Sequence, residues 1–315
     1  MRIASLLPSA TEIVHALGLG ERLVAVSHDC DYPESVRSLP VVTRSFVPAG
    51  APSDEIDRAV RELRSSSRPL YELDVAALET LKPDLILTQA LCTVCAVSEE
   101  EVHVAAQKLP GPPQVINLEA TTLDGVLASI REVAERAGVK AAGVALTKRL
   151  AERANAVAAT SARRSATSVV FLEWLDPPFA AGHWNPELVR WAGGNDPFGK
   201  VGKPATGIEW SKVASARPEV IFISSCGFSV ERTLRDLPAL ARMPGWRDVP
   251  AIKNGRVYVA DGSAYFSRPG PRLADSLEIL ANAVDPRRHK LPPGVPAATR
   301  VDVLALPMEA TARDR

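Results

Sequence analysis

No run of apolar residues in this 315-residue chain approaches the roughly 18 that a membrane-spanning helix needs. Net charge is missing too. Its 37 basic side chains balance 37 acidic ones, which removes the electrostatic basis for bulk binding to nucleic acid or an anionic membrane. The familiar catalytic signatures are also absent: there is no Gly-rich phosphate loop, no G-x-S-x-G elbow and no H-E-x-x-H helix. The start, MRIASLLPSATEIVHALG, does not read as a secretory leader, because its apolar core is short, Pro8 interrupts it and Glu12 follows. No lipid-accepting cysteine stands near it. A cytoplasmic location is therefore expected, with a periplasmic or cell-surface one as the alternative if a leader is missing from the chain. What is present is ordinary globular chemistry. The hydrophobic fraction is 46%, and the length suffices for two domains that each bury a core.

Two stretches share one plan. KPDLILTQALCTVC (82–95) and RPEVIFISSCG (217–227) each carry a basic residue, a proline, an acid, an apolar run, a short polar exit and a cysteine. A further acid precedes each, Asp74 in DVAALETL and Glu209 in EWSKVASA, and one offset in numbering separates Asp74 from Glu209 and Lys82 from Arg217. An unbroken register of this kind points to two lobes on one plan. Each copy reads as a short helix delivering the chain into a parallel strand buried on both faces. In open α/β sheets the ligand crevice lies beyond the carboxyl ends of the strands. Both cysteine-bearing exits are expected there.

The remaining pattern fits this scheme. Strands are expected at 2–7, 23–27, 41–43 and 114–118, and helices at 53–64, 74–81 and 99–108. Ser9 and Glu12 have capping-box spacing for a first helix that ends at Gly18. From 122 to about 164 there is no strand signal, and Gly138 divides the zone into two helices. The second, of about 23 residues, would span roughly 35 Å and reads as a rod joining two lobes. The second lobe opens with a strand at 168–174 and continues with a helix from Asn185 that Gly193-Gly194 ends. Helices at 209–216, 230–237 and 272–284 and strands at 220–224 and 256–260 complete it. A proline-rich tail with one added strand at 299–305 follows.

The sequence resembles the substrate-binding proteins of ABC importers for cobalamin and iron siderophores, and is most similar to their cobalamin-binding branch. The residues that carry this are SLLPSATEIVHALGLGERLVAVSHDCDYP, LETLKPDLILTQ, WAGGNDPFG and EWSKVASARPEVIFIS, which together cover about residues 2–284. The resemblance implies two Rossmann-like α/β lobes joined by a single long helix, the class III periplasmic-binding-protein fold, with the ligand in the cleft. It also implies that an acid from each lobe docks on arginines of an ABC permease. Asp74 and Glu209 match those positions. Charging the N-terminus of a helix is the plain alternative for both.

Flat rings near strand ends suit a corrin or another planar ligand by stacking and area burial. The set is Phe46, Trp174, Trp184, Tyr265 and Phe266, with His183 beside Trp184 in GHWN, while Trp191 reads as core. Arg268, in FSRPGP, is a candidate for a ligand carboxylate or phosphate, and an exposed loop arginine otherwise. Cys30, Cys92, Cys95 and Cys226 all fall just past expected strand ends, with His28 and His183 nearby. Thiolates hold zinc or an iron–sulfur cluster. The expected arrangement has Cys92 and Cys95 lining the cleft, Cys30 beside them and Cys226 facing them from the other lobe. A Cys92–Cys95 redox pair or disulfide, or inert thiols, are the alternatives.

The expected organisation is an N-terminal α/β lobe (1–121), a helical segment with the connecting helix (122–164), a C-terminal α/β lobe (165–285) and a tail (286–315). The expected function is binding of a corrinoid or similar metal chelate, without catalysis. Two alternatives stay open: a cytoplasmic zinc or iron–sulfur protein using the four cysteines, and an enzyme acting on a tetrapyrrole-like substrate.

Overall fold

The computed structural model describes residues 1–48, 50–66, 68–89, 97, 99–162 and 165–302. These divide into two compact units, Met1–Leu150 and Ala151–Arg315.

The first unit is built on four parallel strands in the order β2-β1-β5-β6. They are Ile3–Ser5 (β1), Leu23–Val26 (β2), Leu85–Thr88 (β5) and Gln114–Asn117 (β6). Successive side chains of a strand alternate between faces. Ala4, Ala25 and Ile86 point one way, into a core with Leu78, Val102 and Ala105. Helix α1 (Pro8–Ala16) follows β1 and neighbours α5 (Leu123–Arg136). The expected capping box is not formed. Pro8 starts the helix at its first turn, Leu7 is the N-cap, and Ser9 lies inside the helix with its side chain buried. A proline is pre-set for that position and needs no donor partner, so it takes the start one residue ahead of the serine. Gly18, at φ 77°, ends the region as expected. Between β2 and β5 lie Thr43–Ser45 (β3), Ser53–Ser65 (α2), Tyr71–Leu73 (β4) and Val75–Leu81 (α3). Strands β3 and β4 pair antiparallel as a separate ribbon, and Val41, read as part of a strand, makes only an isolated bridge to Val26. Helix α4 (Glu99–Lys108) connects β5 to β6.

Helix α6 (Lys140–Ser161) is the single long helix expected between the lobes, and the division between the units falls within it, after Leu150. Its 22 residues span about 33 Å. Gly143 lies so close to Ala134 that an added Cβ would meet the alanine methyl at 2.4 Å, which seats the start of α6 on α5. Nearer its other end, Arg153 pairs with Asp275 and Glu278.

The second unit has the sheet order β10-β8-β7-β11-β12-β13, with β9 also on β7. The elements are Thr167–Leu175 (β7), Pro178–Ala180 (β8), Asn185–Trp191 (α7), Gly194–Asn195 (β9), Thr206–Gly207 (β10) and Trp210–Ala216 (α8). Val220–Ile223 (β11), Val230–Ala241 (α9), Pro250–Lys253 (α10), Val257–Val259 (β12), Leu273–Val284 (α11) and Thr299–Arg300 (β13) follow. Strands β7, β11 and β12 run parallel. One face packs Val170, Leu172, Ile221 and Ile223 against Trp210, Leu237, Leu240 and Trp246. On the other, Phe171, Phe222 and Phe266 form a ring cluster with centroids 5.1 to 5.6 Å apart. Each of these buried rings stabilises the sheet by about 2–3 kcal/mol.

The repeated plan is present in detail. Asp74 and Glu209 are the N-cap residues of α3 and α8, both helices have seven residues, and Lys82 and Arg217 both end them in the left-handed conformation at φ 46° and 49°. The strands that follow, β5 and β11, begin and end at matching positions.

Candidate functional site

Parallel strands place their carboxyl ends along one sheet edge, and the loops leaving that edge are the candidate ligand surface of each unit. In the second unit these are the segment from Glu173, the turn after β11 and the segment after β12. The turn after β11 is fixed by backbone bonds: Cys226 N donates to Glu173 O at 2.9 Å, and Gly262 N and Ser263 N both donate to Phe228 O. Gly262 is required here by contact. A Cβ on it would lie 2.0 Å from the Ser225 carbonyl oxygen. Gly262 also opens a single π-helical turn, Gly262–Phe266, which Asp261 caps by accepting from Ala264 N.

This framework brings several rings to the edge. Trp174 packs against Phe228 with ring centres 4.8 Å apart and the rings tilted by 44°, and the Arg232 guanidinium, bonded to Asp236, lies 4.3 Å from the Phe228 ring centre. Tyr265 is half-buried with the Arg272 guanidinium 5.3 Å from its ring centre. Trp184 is only 6% exposed, and its indole N–H donates to Phe266 O, so it ties α7 to the loop after β12 instead of offering an open ring. Phe266 is core. Arg268 is buried, with Nη2 3.4 Å from Ser263 Oγ, so it is not the exposed loop arginine of the plain reading. His183 adopts φ 51° and is anchored by its backbone to Lys203 and Gly202. Its Nε2 is buried without a hydrogen-bond partner among the described residues, and burial lowers its pKa.

Glu173, the residue before Trp174, was not a sequence candidate. Its Oε1 accepts from Gly182 N at 2.8 Å and from Asn185 Nδ2 at 2.7 Å. Burial pushes its pKa up to about 8, and the two hydrogen bonds only partly oppose that rise.

In the first unit the corresponding edge carries a buried hydroxyl–thiol network. Thr11 Oγ1 lies 2.8 Å from Ser5 Oγ and 3.0 Å from Cys30 Sγ, which is also 3.2 Å from Ser27 Oγ. His28 Nδ1 meets Thr43 Oγ1 at 2.6 Å, with Tyr71 5.5 Å from its ring. Phe46 is exposed beside Arg44. Asp74 and Glu209 are both exposed, but differ in use: Asp74 accepts from Ala77 N at 2.9 Å, while Glu209 makes no side-chain cap bond and lies 3.7 Å from Lys212.

Cys92 and Cys95 lie outside the described residues. Cys30 is held by hydroxyl groups, and no group of three or more His, Cys, Asp or Glu among the described residues could hold a metal ion. The zinc or iron–sulfur alternative on Cys30, Cys92, Cys95 and Cys226 therefore gains no support. No described helix is long and apolar enough to cross a membrane. A cavity of about 470 Å³ in the second unit touches Ser161, Arg190, Trp191 and Gly194. It sits by the amino end of β7, away from the strand-exit loops, and plays no part in this surface.

Comparison with known proteins agrees with this architecture. The sequence profile of the family described as "Periplasmic binding protein" matches residues 3–264. A vitamin B12-binding protein of Vibrio vulnificus is 23% identical over 281 residues, covering 88% of this chain and 87% of the relative. Among solved structures, the periplasmic vitamin B12-binding protein BtuF of Vibrio cholerae matches with a TM-score of 0.64 at 23% identity, covering 90% of this chain and 96% of that one. A periplasmic heme-binding protein of Pseudomonas aeruginosa matches with a TM-score of 0.69 at 20% identity, covering 95% and 99%. Such structural likeness establishes the fold.

Proposed function

The chain belongs to the periplasmic binding protein family, and from that premise we propose that it binds a corrinoid or a closely related planar metal chelate and delivers it to an ABC permease. Membership corrects one expectation. The family is one of periplasmic binding proteins, so the cytoplasmic placement is withdrawn. The residues read for a leader lead into β1 and α1 of the folded lobe, and so carry no information about export.

The observation that carries the ligand reading is the Trp174–Phe228 ring pair at the exits of β7 and β11. Half-buried rings next to backbone donors match a ligand with a flat apolar face and a polar rim. The test is titration with cyanocobalamin, haemin and a ferric siderophore, followed by absorbance and calorimetry. Cyanocobalamin is expected to bind with a Kd of about 1 μM or tighter, and Trp174→Ala to weaken it about tenfold, or ~1.4 kcal/mol. Binding of haemin or the siderophore alone would replace the corrinoid reading.

Docking on the permease is assigned to Asp74 and Glu209, supported by their matched cap positions in the two units. Because Asp74 also caps α3, the informative variant is Asp74→Asn combined with Glu209→Gln, which keeps an acceptor at the cap. It is expected to abolish ligand-dependent stimulation of transport while leaving ligand affinity within about twofold. A loss of ligand affinity would place these acids in binding or folding instead.

A further inference from the structure

Glu173 stands where three loops meet. Its backbone carbonyl accepts from Cys226 N of the turn after β11, and its carboxyl accepts from Gly182 N and from Asn185 at the start of α7. Asn185 Nδ2 and the Trp184 indole both reach Phe266 O in the segment after β12. One residue thus joins the three segments, its backbone carbonyl holding the turn that carries Phe228 and its carboxyl holding Gly182 and Asn185, which in turn reaches the segment that carries Tyr265. Its surroundings disfavour a charge. The groups that act on it electrostatically, Cys226 from the β11 turn and Asp196 after β9, are both acidic. Burial lowers the pKa of His183, next to Gly182. On the β12 side the nearby contact is the Phe266 carbonyl. In that segment Asp261 accepts from Ala264 N, and Arg268 Nη2 lies 3.4 Å from Ser263 Oγ.

We propose that Glu173 is a positioning residue of the ligand edge, whose protonated carboxyl holds residues 182–185 and, through Asn185, the segment after β12, so that ligand affinity falls when that proton is lost. The affinity half of this inference rests on the ligand reading above, and the proton half does not. Glu173 is half-buried, and an ionised carboxyl would draw further water in between Gly182 and Asn185, loosening the Asn185 contact with Phe266 O and with it the segment that carries Tyr265. The sign follows from linkage. The pKa is raised in the folded state to about 8, so the folded chain holds a proton that the unfolded chain releases near the ordinary carboxylate value. The cost of the buried charge is absent in acid, grows as the pH rises towards 8, and is complete above it. A ligand laid over the edge removes more water from the carboxyl and strengthens its hold on the proton. A strengthening of one pH unit makes affinity fall about fivefold between about pH 7 and about pH 9.

The first measurement needs no ligand. Infrared difference spectroscopy of the protein should show a protonated-carboxyl stretch that disappears with a midpoint near pH 8 and is missing in Glu173→Gln. A carboxyl already ionised at about pH 6 would overturn the proposal. Glutamine has the shape and neutrality of the protonated acid, so this variant keeps the anchor while removing the titration. The second measurement is calorimetric titration with cyanocobalamin at the two pH values. The fivefold fall is expected in the unmodified protein and in Cys226→Ser, which removes the thiol as the titrating group, and is expected to vanish in Glu173→Gln. Equal affinity at both pH values in the unmodified protein, with the infrared band titrating, would overturn the coupling. No cyanocobalamin binding at either pH, with the band titrating, would sink the corrinoid reading and leave the proton-held junction standing.

Discussion

Arg153→Ala is expected to destabilise the second unit by about 2–3 kcal/mol, seen as a melting temperature roughly 5–10 °C lower. The Arg153 side chain is about one-third exposed, and its guanidinium meets both carboxylate oxygens of Glu278 and one of Asp275. Hydrogen bonding to Glu278, opposed by burial and reinforced by Asp275, holds the guanidinium pKa above its ordinary value. Asp275 and Glu278 are three residues apart on α11, so they share one face of that helix. Removing the cation leaves two partly buried carboxylates facing each other. Most of the cost is that repulsion and desolvation, not the loss of one attraction. A second substitution decides the mechanism. Glu278→Gln in the Arg153→Ala background should recover more than half of the lost stability, whereas additive losses would mean that Arg153 acts by packing alone. The partial exposure keeps the figure below that of a fully buried pair.

Gly262→Ala should be as damaging to stability and more damaging to binding. The new methyl would meet backbone, the Ser225 carbonyl oxygen at 2.0 Å and its carbon at 2.8 Å, and no side-chain rotation relieves that. The segment after β12 must lift away from the turn after β11, breaking the paired bonds from Gly262 N and Ser263 N to Phe228 O. A loss of about 3 kcal/mol is expected by thermal unfolding, and more than about tenfold in ligand affinity, because Phe228 and Tyr265 move with these loops. Gly207→Ala is the control, since nothing lies within 4 Å of its added Cβ. It should change stability by no more than about 0.5 kcal/mol. A Gly262→Ala protein that melts with the unmodified one would show that the two loops are not held in contact.

Much of the fold was legible because it rests on local rules. The apolar runs of β5 and β11, the helices before them and Gly138 between α5 and α6 announce themselves by composition and period. What escaped was set by partners distant in sequence. Strand β4 is three residues, of which only Leu73 is buried, and it pairs with β3 alone. The capping box failed because Pro8 competes for the helix start. At the candidate site, ring identity could be read but ring exposure could not. Trp174 and Trp184 look equivalent in sequence, yet Trp184 is closed off by Phe266 O, 82 residues away. Glu173 carried a signal that went unused: a lone acid within the apolar run FLEW, where an unpaired charge has no place. The expected cysteine cluster turns on Cys92 and Cys95, which lie outside the described residues. For Cys30 the surrounding hydroxyls of Ser27 and Thr11 give a local account of its burial.

The matched caps and strands of the two units also describe a unit of exchange. From the acid that opens α3 to the last residue of β5, and from the acid that opens α8 to the last residue of β11, the chain advances by the same number of residues through the same conformations, including a left-handed step at Lys82 and Arg217. A recombination event that joined one copy to the flanks of the other would insert and delete nothing, and would keep every side chain on its own face of the sheet. Only the side-chain volumes would need to be reconciled, because Trp210 and Phe222 are larger than their counterparts Val75 and Leu87. Between its two halves, this gene therefore holds a segment whose boundaries are already set for shuffling.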